Sequence, residues 1–189
     1  SIKNNSFTNK NNTKAAIYVV RDPRNVITSL SHHYNMNIEE SFNFLIDSKI
    51  NLINKKLDSS VVTTIGDWSN NYRSWKNLRF APLLIIKYED LIIDTKKTFV
   101  SILNFLKNLM DIKIEENRIL RTIESCSFDR LAKNEEKQGF KEFVYSKKNK
   151  KLKFFYLGKK NNWKSLLNSE IEKKIRHTFE KEMRELKYI

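Results

Sequence analysis

Short apolar runs alternate along this chain with longer stretches whose apolar residues recur at three and four positions, a pattern of strands joined through helices. Ala16–Val20, an apolar run between Lys14 and Arg21, has the length and β-branched content of a strand buried on both faces. Leu83–Lys87 is a second such run. Helical spacing follows Pro23, recurs over residues 38–49 and 68–78, and returns after Asp94, where Phe99, Ile102, Leu103, Leu106 and Leu109 share a face. Residues 115–126 and 129–137 read as two shorter helices with Ser127 and Phe128 at the turn between them. Ser169-x-x-Glu172 reads as a capping box that opens a closing helix lined by Ile171, Ile175, Phe179, Met183 and Leu186. Strands separated by helices imply an α/β fold, a parallel sheet flanked on both faces by helices. Such sheets bind ligands beyond the carboxyl ends of their strands, where Arg21 and Tyr88 both fall.

The junction after the first strand carries the clearest chemistry. Asp22 is placed to cap the helix and Pro23 to open it, since proline lacks only an amide proton that the first turn leaves unpaired. Free amides and the positive end of the helix dipole then lie beside Arg21, whose planar fork matches a phosphate. Val26, Ile27, Leu30 and Tyr34 form one stripe of this helix and Asn25, Ser29 and His33 another, so one face can pack while the other meets a ligand. An equally open reading of the residues alone is a plain strand–turn–helix, with an exposed arginine and a serine bonded back to its own helix.

These residues resemble the 3′-phosphate-binding segment of sulfotransferases that use 3′-phosphoadenosine 5′-phosphosulfate, where an arginine at a strand end and a serine eight positions later hold the 3′-phosphate. Arg21 and Ser29 have that spacing, with His32, His33 and Tyr34 following. The resemblance continues in order: Gly66-Asp67-Trp68 with Trp75; Tyr88-Glu89-Asp90 after the second strand; Ser125-Cys126-Ser127-Phe128; and Gly158 with Trp163-Lys164. By that resemblance the fold is like that of P-loop kinases and incomplete at its N-terminus. Tyr88, Cys126, Ser127 and Phe128 approach the adenine, and Gly158 belongs to the loop that closes over the 3′-phosphate. The cosubstrate is 3′-phosphoadenosine 5′-phosphosulfate, without a metal, and the reaction passes a sulfuryl group to a hydroxyl or amine of a small-molecule or glycan acceptor.

Two departures from the family pattern stand out. The arginine and lysine that usually precede the glycine are replaced by Tyr156 and Leu157, while Lys159 and Lys160 follow Gly158 and offer charge from the other side. Nothing before Lys14 is similar to the family's phosphosulfate loop or catalytic histidine, and the chain opens on Ser1. The expectation is therefore the C-terminal part of a longer polypeptide, one sulfotransferase-like domain over residues 1–189 that holds the nucleotide, contains no catalytic residue and is inactive by itself. Two other readings remain open at this point: a P-loop nucleotide phosphotransferase, and a basic, non-catalytic nucleic-acid-binding module.

Composition narrows these readings. With 40% hydrophobic residues in 189, the chain can bury a substantial core, which excludes a disordered protein. The net charge of +14 invites a polyanion. Yet Lys, Asn and Ile dominate throughout, as an A/T-rich genome would dictate, and the densest basic run, at residues 147–151, lies in a polar stretch without helical period. No nucleic-acid partner is expected. Cys126 is the single cysteine, which rules out an intrachain disulfide and fits a reducing, cytoplasmic setting. With three histidines, two of them adjacent, no metal site is expected either, and no apolar stretch is long enough to cross a membrane. Acceptor-shaping loops are expected at residues 35–65 and 138–152; neither names an acceptor, and nothing indicates an oligomer.

Overall fold

A computed structural model describes residues 10–49, 51–53, 62–141, 144–146 and 151–189. Its centre is a pair of parallel strands, β1 (Ala16–Val20) and β4 (Leu83–Lys87), in register from Ala16 opposite Leu83 to Val20 opposite Lys87. Between them run α1 (Pro23–His33), α2 (Ile38–Ile46), the antiparallel pair β2 (Asn51–Ile53) and β3 (Val62–Thr64), and α3 (Trp68–Lys76). After β4 come α4 (Tyr88–Ile93), α5 (Thr95–Lys107), α6 (Glu116–Ser125) and α7 (Phe128–Gln138). A short antiparallel pair, β5 (Val144–Tyr145) and β6 (Lys151–Leu152), leads to a 3-10 turn at Gly158–Lys160. The chain then closes with α8 (Trp163–Leu166), α9 (Ser169–Thr178) and α10 (Glu180–Glu185).

One face of the strand pair turns Tyr18, Val20 and Ile85 toward the main core. There Ile27 of α1, Phe42 and Leu45 of α2, and Trp68 and Tyr72 of α3 meet Ile171, Ile175, Phe179, Met183 and Leu186 of the closing segment. The expected closing stripe is therefore buried as a set, although the helix is interrupted at Phe179 and continues as α10. Tyr18 donates to Asn71 Oδ1 at 2.9 Å, and burial pushes its phenol up to about 12. Trp75 shares the aromatic stripe of α3 and stacks on Tyr18 at 5.9 Å, yet stays 40% exposed.

The expectation that β1 is buried on both faces fails. Its burial alternates, with Ile17 39% and Val19 47% exposed, because α5 lies against β4 and leaves the same face of β1 uncovered among the described residues. On that face Ile86 of β4 is buried at 5% exposure. A second correction concerns α9. Its cap is Asn168, whose side chain accepts from Ile171 N at 2.9 Å, so the Ser169 capping box does not form. Glu172, the other half of that box, instead faces Arg24 at 3.4 Å. A distant cation has taken the carboxylate that the local motif would have used.

The turn and loop segments expected to shape an acceptor pocket lie partly outside the described residues, which omit 50, 54–61, 142–143 and 147–150. Most of the basic run at residues 147–151 falls among them. Among the described residues, no helix is long and apolar enough to cross a membrane.

Candidate functional site

Backbone chemistry builds the junction between β1 and α1. Asp22 accepts from Arg24 N at 2.9 Å as the cap, and Pro23 occupies the first turn, as their order in the sequence dictates. Asp22 N donates to Glu89 Oε1 at 3.1 Å, and Trp68 Nε1 donates to Arg21 O at 3.2 Å, so the turn is held from α4 and α3. The other carboxylate oxygen of Glu89 accepts from Tyr188 Oη at 2.9 Å. Burial raises the Tyr188 phenol far above the ordinary tyrosine range, and the Glu89 charge adds to that shift. Glu89, part of the Tyr88-Glu89-Asp90 motif, thus locks the C-terminus against the helix start.

Arg21 extends from this turn across the face of Tyr88, with its guanidinium carbon 4.4 Å from the ring centroid. Its Nη1 donates to Ser29 Oγ at 3.1 Å. Its Nε is buried and has no hydrogen-bond partner, and Nη2 has none among the described residues. A buried, unpartnered guanidinium N–H is costly unless something accepts from it. The Nε–Nη2 edge is the one that grips a carboxylate or phosphate through two parallel bonds. Ser29 also donates to Asn25 O at 3.1 Å, so the residue-level alternative of a serine bonded to its own helix is met as well.

The polar stripe of α1 receives the chain's own loop. Lys153 O lies 2.7 Å from His32 Nε2, and the ring of Tyr156 stacks on His32 with centroids 3.8 Å apart. Asn161 Nδ2 donates to Ser29 Oγ at 2.7 Å, and Trp163 N donates to Asn25 Oδ1 at 2.9 Å. Contacts at Asn25, Ser29 and His32 follow one side of the helix. The same loop is tied to α7: the buried Glu135 accepts from Phe154 N at 2.7 Å and from Phe155 N at 2.9 Å. Phe128, the first residue of α7 rather than a turn residue, sets its ring against Gly158. Arg21, Ser29, Asn161, Gly158 and Phe128 therefore form one continuous line of contacts, since Asn161 N also donates to Gly158 O at 3.1 Å.

The sulfotransferase domain family matches this chain over residues 4–187. The chain belongs to that family. Among curated relatives, the amine sulfotransferase of Oryctolagus cuniculus is 26% identical over 192 residues, covering 95% of this chain and 58% of the relative. The luciferin sulfotransferase of Photinus pyralis is 28% identical over 126 residues, covering 67% of this chain and 31% of that protein. The crystal structure of a mouse sulfotransferase complexed with PAP superposes with a TM-score of 0.61 at 18% identity, covering 90% of this chain and 58% of the mouse chain. That likeness shows the fold, the P-loop-like parallel sheet flanked by helices expected from the sequence. The chain spans less than two thirds of the length of each of these proteins.

The remaining positions singled out in this sulfotransferase-family chain are placed less closely. Cys126 is exposed at the end of α6, with its amide donating to Thr122 O at 3.0 Å. Ser127 is the residue before α7 and makes no capping bond through its side chain. Lys159 and Lys160 are exposed on the 3-10 turn, and their side chains make no hydrogen bond or ion pair among the described residues. Sequence reasoning places Asn25 on the ligand-facing stripe but misses the other groups that bind the loop to the site, Thr28, Glu135 and Asn161.

Gly158 has a φ of +53°, and a Cβ added there would stand 2.9 Å from the Phe128 ring. Gly158→Ala is expected to cost about 1–2 kcal/mol, read by urea unfolding, from the left-handed backbone alone. Shrinking the ring with Phe128→Leu in that background should recover the part due to the clash. No recovery would show that the backbone, not the ring, requires glycine.

Proposed function

We propose that this chain holds the adenosine 3′,5′-bisphosphate portion of 3′-phosphoadenosine 5′-phosphosulfate for sulfuryl transfer to a hydroxyl or amine acceptor. The observation that carries the reading is the Arg21 guanidinium, fixed by Ser29 and Tyr88 while its Nε stays buried without a partner. That arrangement suits a phosphate monoester: a planar fork with one open edge beside a hydroxyl that can turn its proton outward. Arg21 and Ser29 take the 3′-phosphate in this reading. Tyr88, Cys126, Ser127 and Phe128 line the adenine side, and Gly158, Lys159 and Lys160 close from the loop.

When bound, the cosubstrate supplies the activated sulfuryl group, whose bond to the phosphate breaks as the bond to the acceptor forms. That step needs a base for the acceptor proton and positive charge for the leaving phosphate. None of the nine residues named here is proposed as that base; their part is to bind and orient. The family and its amine and luciferin sulfotransferase members support a small-molecule acceptor. A cytoplasmic location rests on the lone thiol of Cys126.

Calorimetric titration of the chain with adenosine 3′,5′-bisphosphate and with adenosine 5′-monophosphate tests the reading. Binding of the bisphosphate at least tenfold tighter is the expected result, because only it offers the 3′-phosphate to Arg21. Equal affinity for the two nucleotides would overturn the assignment.

A further inference from the structure

We propose that Asn161 is the positioning residue that readies the Ser29 hydroxyl to donate to a 3′-phosphate, and so sets the preference for a 3′-phosphorylated nucleotide. The inference rests on the nucleotide reading above and concerns the same site. Asn161 is half-buried on the loop after Gly158, in the segment where the family's usual basic pair is replaced by Tyr156 and Leu157. Lys159 and Lys160 do not meet α1 through any hydrogen bond among the described residues; Asn161 does, three times.

Hydrogen-bond stoichiometry makes the case. Asn25 O can only accept, so the amide end 3.3 Å from it is Asn161 Nδ2, and this fixes which end faces Ser29 and leaves Oδ1 2.5 Å from the Thr28 hydroxyl. Asn161 Nδ2 then donates to Ser29 Oγ at 2.7 Å, while Arg21 Nη1 donates to the same oxygen at 3.1 Å. A hydroxyl has two lone pairs and one proton, so with both lone pairs of Ser29 filled its proton is held in the one remaining direction. That proton now points to Asn25 O at 3.1 Å. The same carbonyl also has Asn161 Nδ2 at 3.3 Å, a donor that stays in place when the serine proton leaves. An anion on the Arg21 edge that draws Nη1 from Ser29 opens that direction, and the Ser29 proton can turn into it without stripping the carbonyl. Asn161 does two things at once: it fills the Ser29 lone pair and stands in at Asn25.

The test is the ratio of affinities for adenosine 3′,5′-bisphosphate and adenosine 5′-monophosphate, measured by calorimetry on the full chain and its Asn161→Ala and Asn161→Asp variants. Asn161→Ala should lower the ratio about fivefold to tenfold while the monophosphate affinity and melting temperature change little. Asn161→Asp should lower it further, since a carboxylate would draw the Ser29 proton to itself and stand near the phosphate. An unchanged ratio in both variants would overturn the role of Asn161 and leave the nucleotide reading intact. Parallel loss of both affinities would mark Asn161 as a fold contact only and overturn it as well. No preference in the unaltered chain would instead remove the nucleotide reading and this inference with it.

Discussion

Arg24→Ala should destabilise the protein by about 3–5 kcal/mol, the cost of leaving a buried charge without its partner. Arg24 and Asp22 face each other with side chains each 7% exposed. Arg24 Nε reaches both carboxylate oxygens, at 3.0 and 3.1 Å, and Nη2 reaches Asp22 Oδ2 at 2.7 Å and Tyr188 O at 2.8 Å. Truncation strands the carboxylate, frees the Tyr188 carbonyl, and removes the cation that lies 4.0 Å over the Trp163 ring. Urea unfolding measures the loss. The double variant Asp22→Ala with Arg24→Ala should be less unstable than the sum of its parts, because it leaves no charge behind. It will not return to the starting value, since Asp22 also caps α1 and a lost cap costs about 1 kcal/mol. A loss below about 1 kcal/mol for Arg24→Ala would mean that water reaches Asp22 and screens it as it would a surface charge.

Arg24 also shows why neighbouring arginines read alike in the sequence and act differently in the fold. Both flank Asp22 and Pro23, and both suit an anion. Three residues apart, they leave the turn in different directions. Arg24 is enclosed by Asp22, Glu172 and Trp163, whereas Arg21 keeps an edge without a partner. The resemblance chose Arg21 on spacing to Ser29, and the 3.1 Å contact between them gives that spacing a physical meaning. Features settled by neighbours in sequence were legible: the apolar strands, the Asp22 cap, the helix that follows Asp94, and the apolar stripe of the closing segment.

What the sequence hid depends on residues far apart. Glu172 looked like half of a capping box, but its partner Arg24 is 148 positions away. Asn161 is one asparagine in a chain rich in them, and its meaning comes from Ser29, 132 positions earlier. Glu135 likewise reads as one acid among the polar residues of α7, until two loop amides 19 and 20 positions on are seen to converge on it. Side chains with several hydrogen-bonding uses carry little local information, because which use prevails is fixed by tertiary packing. The exposure of Ile17 and Val19 has the same origin: an apolar run specifies a strand, and only the placement of α5 decides which face it leaves open.

Arg21→Ala should weaken binding of adenosine 3′,5′-bisphosphate by roughly ten- to a hundredfold, the value of a charged hydrogen bond of about 1.5–3 kcal/mol. Affinity for adenosine 5′-monophosphate should change far less, since that nucleotide has no 3′-phosphate to lose. Arg21→Lys should recover only a part, because an ammonium cannot present two parallel donors or lie flat on Tyr88. The stability readout should be far smaller than for Arg24. Removing Arg21 forfeits its bond to Ser29 and its stack on Tyr88, but it also removes a buried N–H that nothing satisfies. These effects oppose, so the unfolding free energy should move by about 1 kcal/mol or less in either direction. A group retained for binding often contributes little to the fold that holds it. Large loss of both stability and monophosphate affinity would make Arg21 a second Arg24, a structural cation, and unchanged bisphosphate affinity would place the phosphate elsewhere. A selective loss of bisphosphate binding with the fold intact is the result that the geometry of the β1–α1 turn leads us to expect.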